Sequence, residues 1–111
     1  MDIITYPDFE KMDLRVGTIL SAIPFEKARK PAYILEIDFG ELGIKKSSAQ
    51  ITIIYNEADL VGKQIIAVVN FPPKQVANIF SECLVLGVVG SEGEVVLIQP
   101  ERKVDDGMKI G

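Results

Sequence analysis

The sequence predicts a small all-β domain, either a barrel or a sandwich. Apolar residues gather in many short runs, stretches with helical periodicity are scarce, and turn-forming residues recur at regular intervals. A chain of 111 residues, 48% of them apolar, has the usual size of one domain around one core. We therefore expect residues 1–111 to form a single domain.

The first three strands are predicted from alternation and from strand-forming residues. Residues 15–23 alternate in polarity, and residues 47–54 form a partly polar strand after a turn that contains Gly43. Between them lies a strand that ends at Gly40 and keeps its acidic residues on one face. The apolar residues on the opposite face of that strand are Tyr33, Leu35, Ile37 and Phe39.

Three nearly continuous apolar runs follow, at residues 65–69, 83–86 and 95–98. A strand with one wet face alternates, so continuous runs predict strands buried on both faces. The interior of a small barrel covers only one face of its sheet. We expect a second copy of the chain to cover much of the other face, because exposed apolar patches commonly mark interfaces. The sequence thus predicts a homodimer.

The remaining segments are predicted to be short helices and turns. Residues 6–12, with Pro7 near the first helical position, and residues 56–60, which end before Gly62, favour single helical turns. The Pro72-Pro73 pair must leave the sheet because proline has no backbone N–H to donate. Residues 90–93 are typical of a hairpin connection, and residues 105–107 of a turn.

The composition removes most catalytic chemistry. Histidine and tryptophan are absent and Cys83 is the one cysteine, so no Ser-His-Asp or Cys-His arrangement, His-based zinc site or internal disulfide can form. Cys83 lies in an apolar run and is expected to be a small buried hydrophobe. Gly87-x-x-Gly90-x-x-Gly93 has the wrong spacing for a dinucleotide loop, and Asp105-Asp106 is expected to be a solvated turn rather than a metal site. We expect no enzyme, no cofactor and no metal.

The location of the protein is predicted from the absence of a recognisable signal peptide and of a membrane-spanning segment in the sequence. The first residues have neither the basic flank nor the long apolar stretch of a signal peptide. No apolar run approaches the ~18–20 residues that a membrane span requires. We therefore expect a cytoplasmic protein without membrane insertion.

Basic residues concentrate in the middle of a chain whose net charge is −4. Residues 27–74 carry a formal charge of +2 and the rest of the chain carries −6. A polyanion partner fits this block, because the local field matters more than the net charge at a binding face. Solvated surface lysines are the alternative interpretation. The two basic clusters, both predicted to lie in loops, are Lys27-x-Arg29-Lys30 and Lys45-Lys46.

Four stretches of the sequence carry a family resemblance. They are Phe9-x-Lys11-x-Asp13-Leu14-Arg15-Val16-Gly17, Ile37-Asp38-Phe39-Gly40, Val69-Asn70-Phe71-x-Pro73-Lys74 and Ser81-Glu82-x-Leu84-Val85-Leu86. In this order and spacing they resemble the tRNA-binding domain family, an OB-fold module that is appended to some methionyl-tRNA synthetases and also occurs in free-standing proteins. Residues 45–51 and 68–73 are more similar to the CsaA type of free-standing member, regarded as protein-export chaperones.

The resemblance implies a five-stranded Greek-key OB-fold barrel with short helices and terminal extensions, and a homodimer joined through terminal segments. It also implies a face that binds tRNA or polypeptide. The candidate binding residues on that face are Arg29, Lys30, Lys45, Lys46, Asn70, Lys74, Ser81 and Glu82.

Several of these candidates have an equally plain structural interpretation. The amide of Asn70 can bond a base edge or a phosphate, or satisfy backbone groups in a turn. Ser81 can contact RNA or cap the local loop. Phe71 and Phe80 can stack on bases, but we expect both in the core. Arg15 is expected to pair with Asp13 or Asp38.

Two functions remain after enzymes are set aside. One is a tRNA-binding module that recognises shape and phosphates. The other is a chaperone of CsaA type, which holds unfolded or export-bound polypeptide through apolar side chains and strand edges. The sequence departs from its relatives at Ala49-Gln50, Ile79 and Cys83-Leu84, which makes the presumed RNA face more apolar and suits an extended polypeptide. The two functions are compatible on one surface.

Overall fold

The protein folds around a five-stranded antiparallel barrel, described here by a computed structural model that covers residues 1–111. The barrel strands follow the order β3-β2-β1-β4-β7, and two further hairpins, β5–β6 and β8–β9, extend from it. The elements are α1 Tyr6–Glu10, β1 Leu14–Pro24, β2 Tyr33–Asp38, a 3-10 turn Gly40–Leu42, β3 Ile44–Ala49, α2 Glu57–Leu60, β4 Gln64–Val68, β5 Lys74–Val76, β6 Ile79–Ser81, β7 Leu84–Val85, β8 Gly87–Val89 and β9 Val95–Leu97.

The long first strand organises the barrel because it pairs on both sides. Residues 14–18 pair with β4, and residues 18–24 pair with β2. A register shift between Ile19 and Ser21 bends the strand at the point where it passes from one partner to the other. This bend lets one strand of 11 residues contribute to both sides of a closed sheet.

The core forms from the alternating faces that the sequence predicted. Leu35, Ile37 and Phe39 are completely buried, whereas Glu36 on the opposite face is exposed. Gly17 faces this layer, and a Cβ atom there would lie 2.6 Å from Ile37 and 2.7 Å from the Phe39 ring. Glycine is therefore what allows β1 to pass over the Phe39 ring.

Both short helices are confirmed, and both begin with the same side-chain arrangement. In α1, Asp8 N donates to Thr5 Oγ1 and Thr5 N donates to the Asp8 carboxylate; Asn56 and Asp59 repeat this reciprocal pair in α2. The Thr5 amide also lowers the pKa of the Asp8 carboxyl below its ordinary value. Caps of this kind help helices of four or five residues to persist, although α1 buries no residue and α2 buries only Leu60.

The C-terminal segment is tied to the barrel by hydrogen bonds to the first strand. Val16 donates to the Met108 carbonyl and accepts from Gly107, while Ile110 donates to Leu14. The Gln64 side chain donates to the Val104 carbonyl and accepts from the Val104 amide. The tail therefore covers part of the outer surface beside β1.

Three predictions about the strands need correction. The third strand is shifted toward the N-terminus, so it covers Ile44–Ala49 and residues 52–54 form a turn instead. The β5–β6 hairpin was missed, because Val76 and Ile79 are too short an apolar signal beside the prolines. The turn at residues 90–93 is a hairpin connection as predicted, but the strand before it is β8, Gly87–Val89.

The outward residues of the continuous apolar runs remain exposed on the single chain. Leu84, Val88 and Val96 are each about half exposed, whereas Ile65 and Ala67 of β4 are completely buried. A single chain therefore leaves these residues uncovered, and their burial by a second copy stays a prediction. None of the helices is long and apolar enough to cross a membrane.

Candidate functional site

The largest described groove, with a volume of about 830 Å³, runs beside the place where the barrel closes. Its walls come from the end of β3, from the β5–β6 hairpin and from residues 81–87 around β7. Apolar side chains dominate its lining, and polar groups stand at its edges. A groove of this shape can receive an extended chain, whether nucleic acid or polypeptide.

Side chains rather than a continuous backbone ladder close the barrel next to this groove. Lys46 N donates to Glu82 Oε1 over 2.9 Å, and Glu82 N donates to the Lys46 carbonyl over 2.8 Å. Ser48 N donates to Ser81 Oγ over 3.1 Å. The hydroxyl groups of Ser47 and Ser81 both donate to the Cys83 carbonyl. We refer to these contacts between residues 46–48 and 81–83 as the seam.

Ser81 and Glu82 both form hydrogen bonds that hold the seam together. The local interpretation of Ser81 is what the geometry shows, since its hydroxyl both accepts from Ser48 and donates to Cys83. Glu82 uses one carboxylate oxygen on the backbone of Lys46, and its second oxygen has no hydrogen-bond partner in the chain. Ser81 therefore positions the groove wall, whereas Glu82 keeps one oxygen available to a ligand.

Lys45 and Lys46 lie on strand β3, not in a loop as predicted. Adjacent residues of a strand point to opposite faces, so the two side chains do not converge. Lys46 is exposed on the face of Ser48, which lines the groove. Lys45 is half buried on the face of Ser47, which points into the barrel.

The other predicted cations stand around the same strand. Lys74 lies on β5, not in a loop, and it pairs with Ser81, whose hydroxyl reaches Ser48 of β3. Arg29 and Lys30 lie in the loop between β1 and β2, at the end of the sheet where Tyr33 pairs with Ala49. At ~3.3 Å per residue, that end is about 10 Å along β3 from Lys46.

None of these five cations has a carboxylate partner within the chain. The ion pairs of the structure join Lys11 to Asp8, Arg15 to Asp13 and Arg102 to Glu101, and none of these pairs lines the groove. Arg15 thus pairs with Asp13, one of its two predicted partners, and its guanidinium also donates to the Gly107 carbonyl. Of the five cations, Lys74 lines the groove together with Glu82, and Lys46 lies next to it on the strand face of the groove-lining Ser48; neither lysine has an ion-pair partner in the chain.

The expectation that Phe71 and Phe80 belong to the core is wrong. The Phe71 side chain is 50% exposed and lines the groove, and the Phe80 side chain is 59% exposed on the outward face of the β5–β6 hairpin. Ile79 and Ser81, on either side of Phe80, take the inward face of the same short strand. Period-two alternation would have located Phe80 had the hairpin been recognised.

Asn70 serves as a link between two parts of the backbone. Its Oδ1 atom accepts from Asp13 N over 2.9 Å, and its Nδ2 group donates to the Lys11 carbonyl over 2.7 Å. The side chain thereby fixes the end of α1 against the end of β4. This is the local structural role that the sequence left open, and it occupies both functional atoms of the amide.

Cys83 is buried at the seam, as predicted, and is a free thiol. Burial raises the pKa of the Cys83 thiol to about 11, partly offset by the Ser47 hydroxyl and the charge of Lys45. The thiol is therefore neutral at physiological pH and behaves as an apolar part of the groove wall.

One site residue that the sequence did not reveal is Asn78. It follows Ala77, which has a φ of 50°, in the two-residue turn between β5 and β6. A positive φ in a residue other than glycine is uncommon and marks a constrained turn. The signal that could have found this turn is an asparagine between Val76 and Ile79, both good strand formers.

Comparison with known proteins identifies the family to which this chain belongs. Residues 14–109 match the family model described as "Putative tRNA binding domain". The chain belongs to the tRNA-binding domain family. The match between this domain and the methionine–tRNA ligase of Methanococcoides burtonii is 33% identical over 109 residues, which is 98% of this chain but 16% of that protein. The chain thus spans a small part of the length of the curated relatives it matches.

Two solved structures resemble the whole chain. Chaperone CsaA from Bacillus anthracis str. Ames is 56% identical with a TM-score of 0.95, over 99% of this chain and 100% of that one. The CsaA chaperone protein from Picrophilus torridus is 53% identical with a TM-score of 0.92, over 98% and 100% of the two chains. The predicted OB-fold barrel and the similarity of this tRNA-binding domain to CsaA are both confirmed.

Proposed function

We propose that this chain is a non-catalytic, CsaA-like homodimer that binds tRNA and also holds unfolded polypeptide in the cytoplasm as a protein-export chaperone. Residues 1–111 act as one domain in this proposal. The observation that supports it best is a largely apolar groove with Lys74 in its lining and Lys46 next to it, both without an ion-pair partner in the chain. Uncompensated cations favour phosphates, and an apolar groove favours exposed side chains of unfolded polypeptide.

Phosphate contacts are assigned to Arg29, Lys30, Lys46 and Lys74, with Lys45 adding to the local field. Lys46 lies on β3 and Lys74 on β5, whereas Arg29 and Lys30 lie in the β1–β2 loop, which precedes the Tyr33–Ala49 end of the sheet about 10 Å along β3 from Lys46. Asn70 and Ser81 act by holding the backbone that presents these side chains. We divide the roles in this way because the polar atoms of Asn70 and Ser81 already form hydrogen bonds within the chain, whereas the four cations have no ion-pair partner.

Replacing the groove cations tests tRNA binding directly. Lys46→Glu combined with Lys74→Glu is expected to weaken the binding of bulk tRNA by more than tenfold at ~0.1 M salt, because each lost phosphate contact costs nearly tenfold there. Lys103→Glu, an exposed residue of the C-terminal segment, is the matched charge control and should change affinity less than twofold. Equal losses in both proteins would show only a net-charge effect and would remove the RNA assignment of the groove.

The polypeptide activity is tested by suppression of aggregation. The wild-type protein should slow the aggregation of a chemically unfolded client, and this effect should change little with salt because apolar burial dominates it. Leu84→Asp places a charge among the apolar groove residues and should abolish the effect. If the wild-type protein leaves aggregation unchanged, the chaperone part of the proposal is wrong.

A purely tRNA-binding role is the second candidate. It is favoured by the match of almost the whole chain to part of methionine–tRNA ligases. Such a module would associate with a methionyl-type synthetase and would have no chaperone role. The identity above 50% over full-length CsaA chains favours the first proposal. Strong tRNA binding without any effect on the client would select the second.

A further inference from the structure

A second depression borders the β5–β6 hairpin. It is shallow, has a volume of about 640 Å³ and shares only Glu82 with the lining of the larger groove. Its lining residues are Lys46, Pro73, Asn78, Ile79, Phe80 and Glu82. Three of them carry polar groups of different chemistry, and one presents an exposed aromatic ring.

The polar groups at this depression are not used by the protein. No carboxylate lies within ion-pair distance of the Lys46 ammonium, and the side-chain amide of Asn78 takes part in no hydrogen bond. Glu82 directs Oε1 at Lys46 N, which fixes the carboxylate and leaves Oε2 free. A cation, an amide and an oriented carboxylate oxygen therefore face one small volume.

The ring of Phe80 is largely exposed and forms no close aromatic pair within the chain. It is 59% exposed, and the one close aromatic pair of the chain joins Tyr6 to Phe9. An exposed aromatic ring on a rigid hairpin is the platform on which unpaired bases stack in single-stranded nucleic-acid binding. The constrained turn at Ala77 holds the neighbouring Asn78 at the edge of the same depression.

We propose that this depression binds one unpaired RNA base, stacked on Phe80, with Lys46 on its phosphate and Glu82 Oε2 on an amino group of the base. The inference rests on the proposed tRNA binding and adds a specificity to it. A carboxylate oxygen accepts from the exocyclic amino group of cytosine. The one base N–H of uracil lies between two carbonyl oxygens, which a carboxylate repels. Cytosine is therefore preferred over uracil.

Short unstructured RNAs test this preference. Fluorescence anisotropy with labelled C12 and U12 compares two pyrimidines that stack similarly, so that their affinity ratio isolates the hydrogen bond. The wild-type protein should bind C12 at least about threefold more tightly than U12. Glu82→Gln keeps an oxygen for Lys46 N but replaces the free oxygen with a donor, so the ratio should fall to one or below. Glu41→Gln, which removes one charge from an exposed 3-10 turn, should leave the ratio unchanged.

The platform is tested by Phe80→Leu, which retains an apolar side chain without a ring. Stacking of one base is expected to contribute about 5- to 100-fold in affinity, so binding of both RNAs should fall by an amount in this range. Tyr6→Leu, which removes a similarly exposed ring on α1 that lines neither the depression nor the larger groove, is the matched control and should lower the affinity by less than twofold. Thermal unfolding of each variant checks that the hairpin remains folded.

The outcomes separate this pocket from the wider proposal. If tRNA binds the wild-type protein but Phe80→Leu and Tyr6→Leu bind C12 alike, the base pocket is wrong and tRNA binding stands. If Phe80→Leu reduces only the suppression of client aggregation, the depression holds polypeptide side chains and the base pocket is again wrong. If neither tRNA nor C12 binds the wild-type protein, both proposals fail.

Discussion

At the scale of single residues, the sequence predicts the burial of a side chain correctly where apolar and polar residues alternate along its strand. Leu35, Ile37 and Phe39 were assigned to the core from the acidic residues between them, and all three are buried. Phe71 and Phe80 were assigned to the core because aromatic residues are usually buried, and both are exposed. Their positions depend on a hairpin that adjacent prolines obscure, so the sequence offered no alternation long enough to orient them.

Cys83 predicts a loss of stability at alkaline pH. The folded thiol has a pKa of about 11 against an ordinary value of 9.0, so between these values the unfolded chain releases a proton that the folded chain keeps. Stability therefore falls as pH rises through this window, by roughly 2–3 kcal/mol. Urea unfolding at pH 8 and pH 10.5 should show about 2 kcal/mol of this decrease from Cys83, and Cys83→Ala should remove it while leaving the part due to Tyr33, whose pKa burial also raises. An equal decrease in Cys83→Ala would assign the effect to other groups.

Asn70 predicts a loss of stability without a specific loss of RNA binding. Asn70→Ala removes two hydrogen bonds that join Lys11 and Asp13 to the end of β4, and should lower the free energy of unfolding by ~1–3 kcal/mol. Asn78→Ala removes an amide that makes no hydrogen bond in the chain, so it should change stability by less than ~0.5 kcal/mol. Identical urea midpoints for the two variants would refute the linking role of Asn70.

At the scale of elements, the boundaries of β3 decided the accuracy of the predicted site. The strand was expected to begin at Ser47, which left Lys45 and Lys46 in a loop where their charges converge. It begins at Ile44, because residues 44–49 pair with all of β2. Tertiary pairing thus outweighed the polar Lys-Lys sequence, and the seam to Glu82 depends on partners 36 residues away that no local pattern indicates.

Gly17 tests how closely β1 packs on the barrel interior. A methyl group at this position would meet the Ile37 side chain at 2.6 Å and the Phe39 ring at 2.7 Å, and both residues are completely buried. Gly17→Ala should therefore lower the free energy of unfolding by ~1–3 kcal/mol through overpacking. Gly111→Ala, which has open space around it, serves as the control. Unchanged stability in Gly17→Ala would mean that the core yields easily.

At the scale of the whole molecule, the fold class and the family were predictable, and the outer surface was not. Continuous apolar runs indicated that the sheet is covered on both sides, yet on one chain Val88 and Val96 remain exposed as a cross-strand pair. Two copies that meet through such residues would cover them, as the proposed homodimer requires. The sequence predicts that the outer face of the sheet is covered, but it does not predict how, because the covering surface belongs to a second molecule.

The homodimer is tested by sedimentation at micromolar concentration. The wild-type protein should sediment with twice the chain mass of 12.2 kDa. Val88→Asp should shift the protein toward the monomer, because it places a charge in the exposed pair of the β8–β9 hairpin. Ile53→Asp, at a similarly exposed isoleucine in the turn after β3, is the control. A monomeric wild-type protein would contradict the proposed assembly.

The salt dependence of tRNA binding tests the central claim, that unpaired cations around the groove bind RNA phosphates. Four such contacts predict that the logarithm of the association constant falls with the logarithm of salt concentration with a slope of about −3. Lys46→Glu combined with Lys74→Glu should reduce the slope to about −1.5. A wild-type slope near zero, or a slope that the double substitution leaves unchanged, would contradict the claim.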